Sequence, residues 1–329
     1  VAGTSAGRRI LLTVGLVGAG MALSGCSMAD LPRFGWPSPV TEQGRHMQYF
    51  WSAAFIASLV VGVIVWGAMF WVFLRYRKRA GDPLYPKQTK ENLPFELVCT
   101  AIPFVLISVL FYFTVTVENK VLANDPNPDV VVDVTAFKWN WDFGYRGTTV
   151  PGAIANPDAP DADWYNPTEV HTIGRADEVP VLVVPVHKTV EFHLQSRDVI
   201  HSFWVPDFVF KRDVFPDPEA NQTENVFQVN IDREGAVVGR CAELCGTYHS
   251  QMNFEVRAVP DNVYQAYLKL RTTENAATGA PYSLSEALTQ VGKDIPSCGE
   301  LCAPHATTTY PFNTDRQAKA ASENPNGGS

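Results

Sequence analysis

Two long uncharged runs near the start of the chain limit its architecture more than any other feature. Residues 49–74 form 26 positions without a charge, and residues 97–117 form 21. A bilayer's hydrocarbon core takes about 20 apolar residues of helix, so both runs predict membrane-spanning helices, the first with some tilt. Trp51, Trp66 and Trp71 lie toward the ends of the first run, where amphipathic rings favour the interface. Pro103 in the second run is tolerable in a membrane helix. Between the runs stand Arg75, Arg77, Lys78 and Arg79, then Lys87 and Lys90. Basic loops stay on the cytoplasmic side. The expectation is a transmembrane hairpin over 49–117 that dips inward, with residues 26–48 and everything from Glu118 onward outside the cell.

The first 25 residues read as a processing segment. Arg8 and Arg9 precede an apolar stretch over 10–23, which meets Leu23-Ser24-Gly25-Cys26. A basic start, a short apolar core and small residues before a cleavage point mark a secretory signal. The ending resembles a bacterial lipobox. That resemblance implies that Cys26 becomes the first mature residue and carries a lipid. An ordinary signal peptide and a short membrane helix are the alternatives, the latter disfavoured by the length of the run.

Charge is split along the chain. From Glu118 onward 16 basic residues face 29 acidic ones, whereas before it 10 basic face 5 acidic. An acidic outer domain would repel nucleic-acid phosphates, which excludes nucleic acid as a partner. It suits a basic protein partner, although the same acidity also serves solubility.

Beyond Pro128 the pattern is that of an antiparallel all-β sandwich or barrel. Short β-branched and aromatic runs over 130–137, 181–186, 189–195, 225–230, 236–240 and 252–259 are broken by turn residues. Val190, Phe192 and Leu194 alternate with Glu191 and His193, as in a strand with one buried face. No strand–helix rhythm of a doubly wound fold is present. Residues 146–178 are rich in Pro, Asp, Asn and Gly and read as a surface insertion. Helices are predicted over 263–270 and 284–291, the second opened by a capping box of Ser283 and Glu286. The domain is placed at 118–270, followed by a C-terminal extension, 271–329, whose tail from Asp315 is polar and predicted disordered.

The segment Cys241-Ala-Glu243-Leu-Cys245-Gly-Thr-Tyr-His249-Ser-Gln-Met252 carries the chemistry. Two thiols, an imidazole and a thioether within twelve residues select copper, zinc or iron–sulfur. From the cysteines alone a disulfide is the more natural reading in an exported protein. Zinc is a poor match for methionine. His249 and Met252 on the same loop shift the balance to copper, and two thiolates can bridge two copper ions.

This loop resembles the dinuclear copper A loop of cytochrome c oxidase subunit II, in the form Cys-x-Glu-x-Cys-x-x-x-His-x-x-Met. The segment Asp198-Val-Ile-His201-Ser-Phe-Trp204-Val-Pro206 resembles the family's distant histidine strand. The resemblance implies a cupredoxin-like Greek-key domain in which Cys241 and Cys245 bridge the metals and His201 and His249 each cap one. It also implies that Met252 ligates one copper and the backbone carbonyl of Glu243 the other. The Glu243 side chain would share a magnesium ion with subunit I. The aromatic segment 137–145 resembles another family element, and by that resemblance Trp139 receives electrons from cytochrome c. The alternative is a strand that packs its aromatics into the core. Glu96-Leu-Val-Cys-Thr-Ala-Ile-Pro103 resembles the start of the family's second membrane helix, where the Glu lies near a proton path into subunit I; a carboxylate there also suits the helix dipole.

The family reading implies a proton-translocating oxidoreductase complex in the cell membrane. Oxygen is reduced at the haem and copper B of subunit I, and subunits I and III are partners. The lipobox, insertion and extension resemble the actinobacterial branch, in which the donor is the cytochrome c subunit of a bc complex in a supercomplex. Cys298 and Cys302 echo the copper spacing without a following Met and are expected to form a disulfide. Competing readings are a copper-free quinol oxidase subunit, a copper-storage lipoprotein and a nitrogen-oxide reductase component. The complete ligand set and the membrane hairpin favour the oxidase.

Overall fold

The computed structural model describes residues 33–85, 88, 90–153 and 166–310. Cys26, the signal segment, the middle of the predicted insertion and the tail from Asp315 lie outside the described residues. The chain divides into two compact units. One comprises residues 48–115 with 33–38 and the other 39–47 with 116–310.

Each uncharged run lies within one helix, α1 (Glu42–Arg75) and α2 (Leu93–Val121), most of each in the first unit. Both are long and apolar enough to cross a membrane. Apolar side chains such as Trp66, Phe70, Phe104 and Phe111 stand exposed around them. A helix apolar on every side belongs in lipid or against other subunits. Within α2, Thr100, Ser108 and Thr114 turn their hydroxyls back to the carbonyls of Glu96, Phe104 and Leu110. Glu96 sits in the first turn of α2, where its carboxylate accepts the Asn92 backbone N–H at 3.1 Å.

The second unit is a sandwich of two five-stranded sheets. The strands are β1 (Val130–Phe137), β2 (Asn140–Tyr145), β3 (Val170–Ile173), β4 (Val181–Pro185), β5 (Thr189–Ser196), β6 (His201–Val205), β7 (Phe210–Val214), β8 (Val226–Asn230), β9 (Gly235–Cys241) and β10 (Asn253–Val259). One sheet runs β3-β2-β1-β5-β8 and the other β4-β10-β9-β6-β7. Most neighbours are antiparallel, as the pattern predicts. Two pairs, β1–β5 and β4–β10, are parallel, which modifies the expected all-antiparallel sandwich. Parallel neighbours need a long crossover. Here intervening strands supply it.

The alternation in β5 is realised, with Val190, Phe192 and Leu194 wholly buried. On the other face His193 and Glu191 meet at 2.6 Å. Aromatic rings fill the space between the sheets: Phe203 stacks on Phe254 with centroids 4.7 Å apart, and Trp141 packs edge-on to both. A side chain at Gly239 would lie 2.0 Å from the Phe254 ring, so this position has no room for one.

Two boundaries differ from expectation. The predicted insertion re-enters the sheet as β3, where Val170 and Thr172 are buried. Residues 39–47, which lie outside the domain bounds of 118–270, belong with the sandwich: Val40 bonds through its backbone to Asp207 and Asp232, and Arg45 pairs with Asp232.

After β10 come α3 (Asp261–Arg271), a small hairpin of β11 (Glu274–Asn275) and β12 (Ala280–Pro281), and α4 (Leu284–Asp294). The Ser283–Glu286 capping box is formed in both directions. A 3-10 segment over Pro296–Cys302 then closes on a Cys298–Cys302 disulfide with Cα atoms 5.8 Å apart.

Candidate metal centre

The loop joining β9 to β10 sits at one end of the second sheet, and β6 starts beside it. Cys241 is the last residue of β9, and Met252 immediately precedes β10. The Cys241 N–H donates to the Met252 carbonyl at 3.0 Å, which closes the loop at its base. The Ala242 N–H donates to the Ser202 carbonyl at 3.1 Å, tying the loop to β6. His201 opens β6 and is wholly buried. A turn over His249–Gln251 folds the histidine back over the cysteines.

These elements bring six donor groups together. The two thiol sulfurs lie 3.8 Å apart. His201 Nδ1 is 3.8 Å from Cys241 Sγ, and His249 Nδ1 is 3.6 Å from Cys245 Sγ. Met252 Sδ is 3.8 Å from Cys245 Sγ, and the Glu243 carbonyl oxygen is 3.3 Å from Cys241 Sγ. Cys241, Cys245 and Met252 are buried, while the Glu243 side chain and Leu244 face outward. Among the described residues, His201, Cys241 and Cys245 form the one group of three whose donor atoms all fall within 4.8 Å of one another.

Electrostatics favour a cation here. Burial pushes the Cys245 thiol up to about 12, and the neighbouring Cys241 adds to the rise. A bare Cys245 thiol in this setting stays protonated at neutral pH; its thiolate, the ligating form, needs a compensating positive charge. Burial also holds the His201 imidazole below its ordinary value, against the pull of Asp198, so it is neutral and free to ligate. His201 Nε2 lies 2.8 Å from Asp198 Oδ1, leaving Nδ1 toward the sulfurs. Burial alone would raise the Asp198 carboxyl, but hydrogen bonds from His201, Lys138 and Val199 outweigh it and hold the group below its ordinary value.

Two tryptophans divide their tasks. Trp141 is wholly buried and donates to the Met252 carbonyl at 3.4 Å. Trp139 is half-buried, and its indole N–H donates to the Cys245 carbonyl at 3.2 Å. It packs edge-on to Tyr248 and lies beside Gly246, where φ is +122° and a Cβ would meet the indole at 3.2 Å. Trp139 therefore joins the surface to the loop.

A family model describing the periplasmic domain of cytochrome c oxidase subunit II matches residues 130–259. A probable cytochrome c oxidase subunit 2 of Nocardia farcinica is 44% identical, with 95% of this chain and 90% of that one covered. The chain belongs to the cytochrome c oxidase subunit 2 family. The subunit 2 proteins of Mycobacterium tuberculosis strain H37Rv, at 42% identity, and Corynebacterium glutamicum, at 41%, agree. The first alignment covers 95% of this chain and 92% of its relative, the second 96% of each. Among solved structures, the periplasmic domain of subunit II from Bradyrhizobium japonicum aligns with 44% of this chain and 94% of that one, at 24% identity and a TM-score of 0.31. That score carries no weight beside the sequence relatives.

Membership makes the chain a component of a haem–copper oxidase, an oxidoreductase complex, assembled with other oxidase subunits. It also implies a copper A centre, and the donor set fits one. Soft sulfur and imidazole ligands suit copper, and the two thiols lie side by side within the donor group. The sequence points to all six donors but not to Asp198 as the partner of His201. The only local signal is its position three residues before the histidine. Glu96 and the Cys298–Cys302 disulfide are not members of this cluster.

Proposed function

We propose that the chain accepts electrons from cytochrome c at Trp139 and delivers them through the β9–β10 loop toward the haem and copper B of subunit I, where oxygen is reduced and protons are translocated. The observation that carries this reading is the convergence of two thiols, two imidazoles, a thioether and a carbonyl around one buried point. Cys241 and Cys245 would bridge two copper ions, with His201 and His249 each capping one. Met252 and the Glu243 carbonyl would complete the two ligand sets. A copper pair so bridged supplies a one-electron carrier whose unpaired electron is shared by both metals.

The chain's own residues supply position and rigidity. The neighbouring strands β6, β9 and β10 anchor His201, Cys241 and both ends of the ligand loop, which would limit rearrangement of the ligands on reduction. Asp198 orients His201 through its Nε2, the kind of outer partner that sets tautomer and direction. Trp139 offers a partner a half-exposed ring one hydrogen bond away from the backbone of a bridging cysteine.

The finer assignments belong to the same reading. The exposed Glu243 side chain would share a magnesium ion with subunit I. Glu96, which caps α2, would stand near a proton path into subunit I. Both helices would cross the cell membrane, with the sandwich outside and Cys26 carrying a lipid. Because the relatives are actinobacterial, the donor is the cytochrome c subunit of a bc complex, and subunits I and III complete the oxidase. Isolation of the oxidase in mild detergent without any bc complex would count against that donor.

The decisive experiment loads the full chain, in detergent, with copper. Two coppers per chain and a seven-line EPR hyperfine pattern are expected. One copper with four lines, or a Cys241–Cys245 disulfide without copper, would overturn the proposal.

A further inference from the structure

The strand that leaves the copper loop carries an unusual load. In β10 the side chains of Glu255 and Arg257 are both wholly buried and ion-paired. Removing two charges from water costs several kcal/mol per ion unless other hydrogen bonds satisfy them. The C-terminal extension provides those bonds. Arg257 donates to the carbonyls of Leu301, Ala303 and His305, the last at 2.9 Å. Glu255 Oε2 accepts the backbone N–H groups of Thr307 at 2.6 Å and Thr308 at 2.8 Å, and both threonine hydroxyls. The Cys298–Cys302 disulfide fixes the start of this strap. Residues 301–308 are thus held against β10 by backbone contacts that do not depend on strap side chains other than the two threonines.

The strap leads to Tyr310, which is 85% exposed. Tyr310 lines a cleft of about 260 Å³ together with Trp139, Gln251, Asn253 and the turn bearing Arg175 and Glu178. Arg175 and Glu178 pair with each other at 2.7 Å. Trp139 is the residue through which, on the reading above, electrons arrive. An exposed tyrosine brought to its side by a buried ion pair has the character of an interface anchor: a large amphipathic ring placed where a partner must come close. The acidic balance of the domain suits approach by a basic partner.

We propose that the C-terminal strap forms one wall of the docking face for the electron-donating protein, with Tyr310 as its contact residue beside Trp139. This rests on the assignment of Trp139 as the point where electrons arrive. The strap adds a surface to that point and sets how well the donor is held, without touching the metal ligands.

The test uses the whole oxidase and its proposed donor, the reduced cytochrome c subunit purified from the bc complex. Tyr310→Ala should lower the second-order rate constant for cytochrome c oxidation about fivefold, the loss typical of truncating one anchor of an interface. Turnover at saturating cytochrome c and the copper spectrum should be unchanged, and Tyr310→Phe should stay near wild type. An equal fall with ascorbate and a phenylenediamine mediator would place the damage in the centre and overturn the docking role. An unchanged rate constant in Tyr310→Ala overturns it too. If Trp139→Ala is slowed in that case, the electron path stands without the strap; if both variants are unchanged, both assignments fail.

Discussion

The chain contains two turns of nearly the same sequence, Cys241-Ala-Glu-Leu-Cys245 and Cys298-Gly-Glu-Leu-Cys302, and they meet opposite fates. In the first, the sulfurs stand 3.8 Å apart as free thiols; in the second they are joined. Local sequence does not separate the two. What does is the company that distant strands bring. The first turn is clamped between β9 and β10 and receives His201 from β6 and Met252 from its own far end. The second follows a short helix, and its nearest histidine, His305, uses its backbone carbonyl to hold Arg257. A Cys-x-x-x-Cys spacing is therefore a metal site only where the fold delivers the remaining donors.

The largest effect is expected at the first turn. Replacing Cys245 with Ala should abolish copper loading and bring donor oxidation to background, whereas Cys298→Ser with Cys302→Ser should keep copper content and turnover near wild type. Metal analysis and oxygen uptake on the two oxidases check this. Trp139→Ala should slow electron arrival severalfold yet leave the EPR spectrum intact; an altered spectrum would make Trp139 a structural support of the first loop. Next in size is Arg257→Ala, which strands Glu255 in the interior and should destabilise the sandwich by about 3–5 kcal/mol. Replacing both charges by apolar residues should cost less than Arg257→Ala alone, as denaturant titration of the single and double variants would register.

The smaller effects sharpen the second turn. Its disulfide closes only a short loop, so loss of the bond should cost about 2 kcal/mol, measurable as a lower melting temperature under non-reducing conditions. Ser283→Ala removes the cap of α4, the helix that leads into this turn, for about 1 kcal/mol. The same melting experiment should show the smaller shift.

Much of this was legible in the sequence because each signal was local. The uncharged runs became α1 and α2, the alternation around Phe192 became β5, and Ser283 with Glu286 formed the expected cap. Elements that depend on distant partners were not legible. Strand β3 has four residues within a Pro- and Asp-rich stretch, and its Thr172 and His171 are held by Arg271 from α3. Nothing local marks Glu255 and Arg257 as buried, because the groups that satisfy them lie some fifty positions further on. The two parallel pairings follow from chain reversals that no short window of sequence records. At the site, ligand types and spacing were plain, whereas Asp198 as the support of His201 emerges only from the fold.

The parallel pairing of β1 with β5 also has a kinetic side. Val130 comes to lie opposite Val190, and three strands must be made or set aside before that closure can occur. Topologies with such remote pairings fold slowly. Until β6 is docked, His201 is not beside the cysteines, and the thiols of the β9–β10 loop are two unprotected sulfurs on an open chain. Metal uptake therefore waits on closure, because His201 and the two thiols share one point only once β6 lies beside β9.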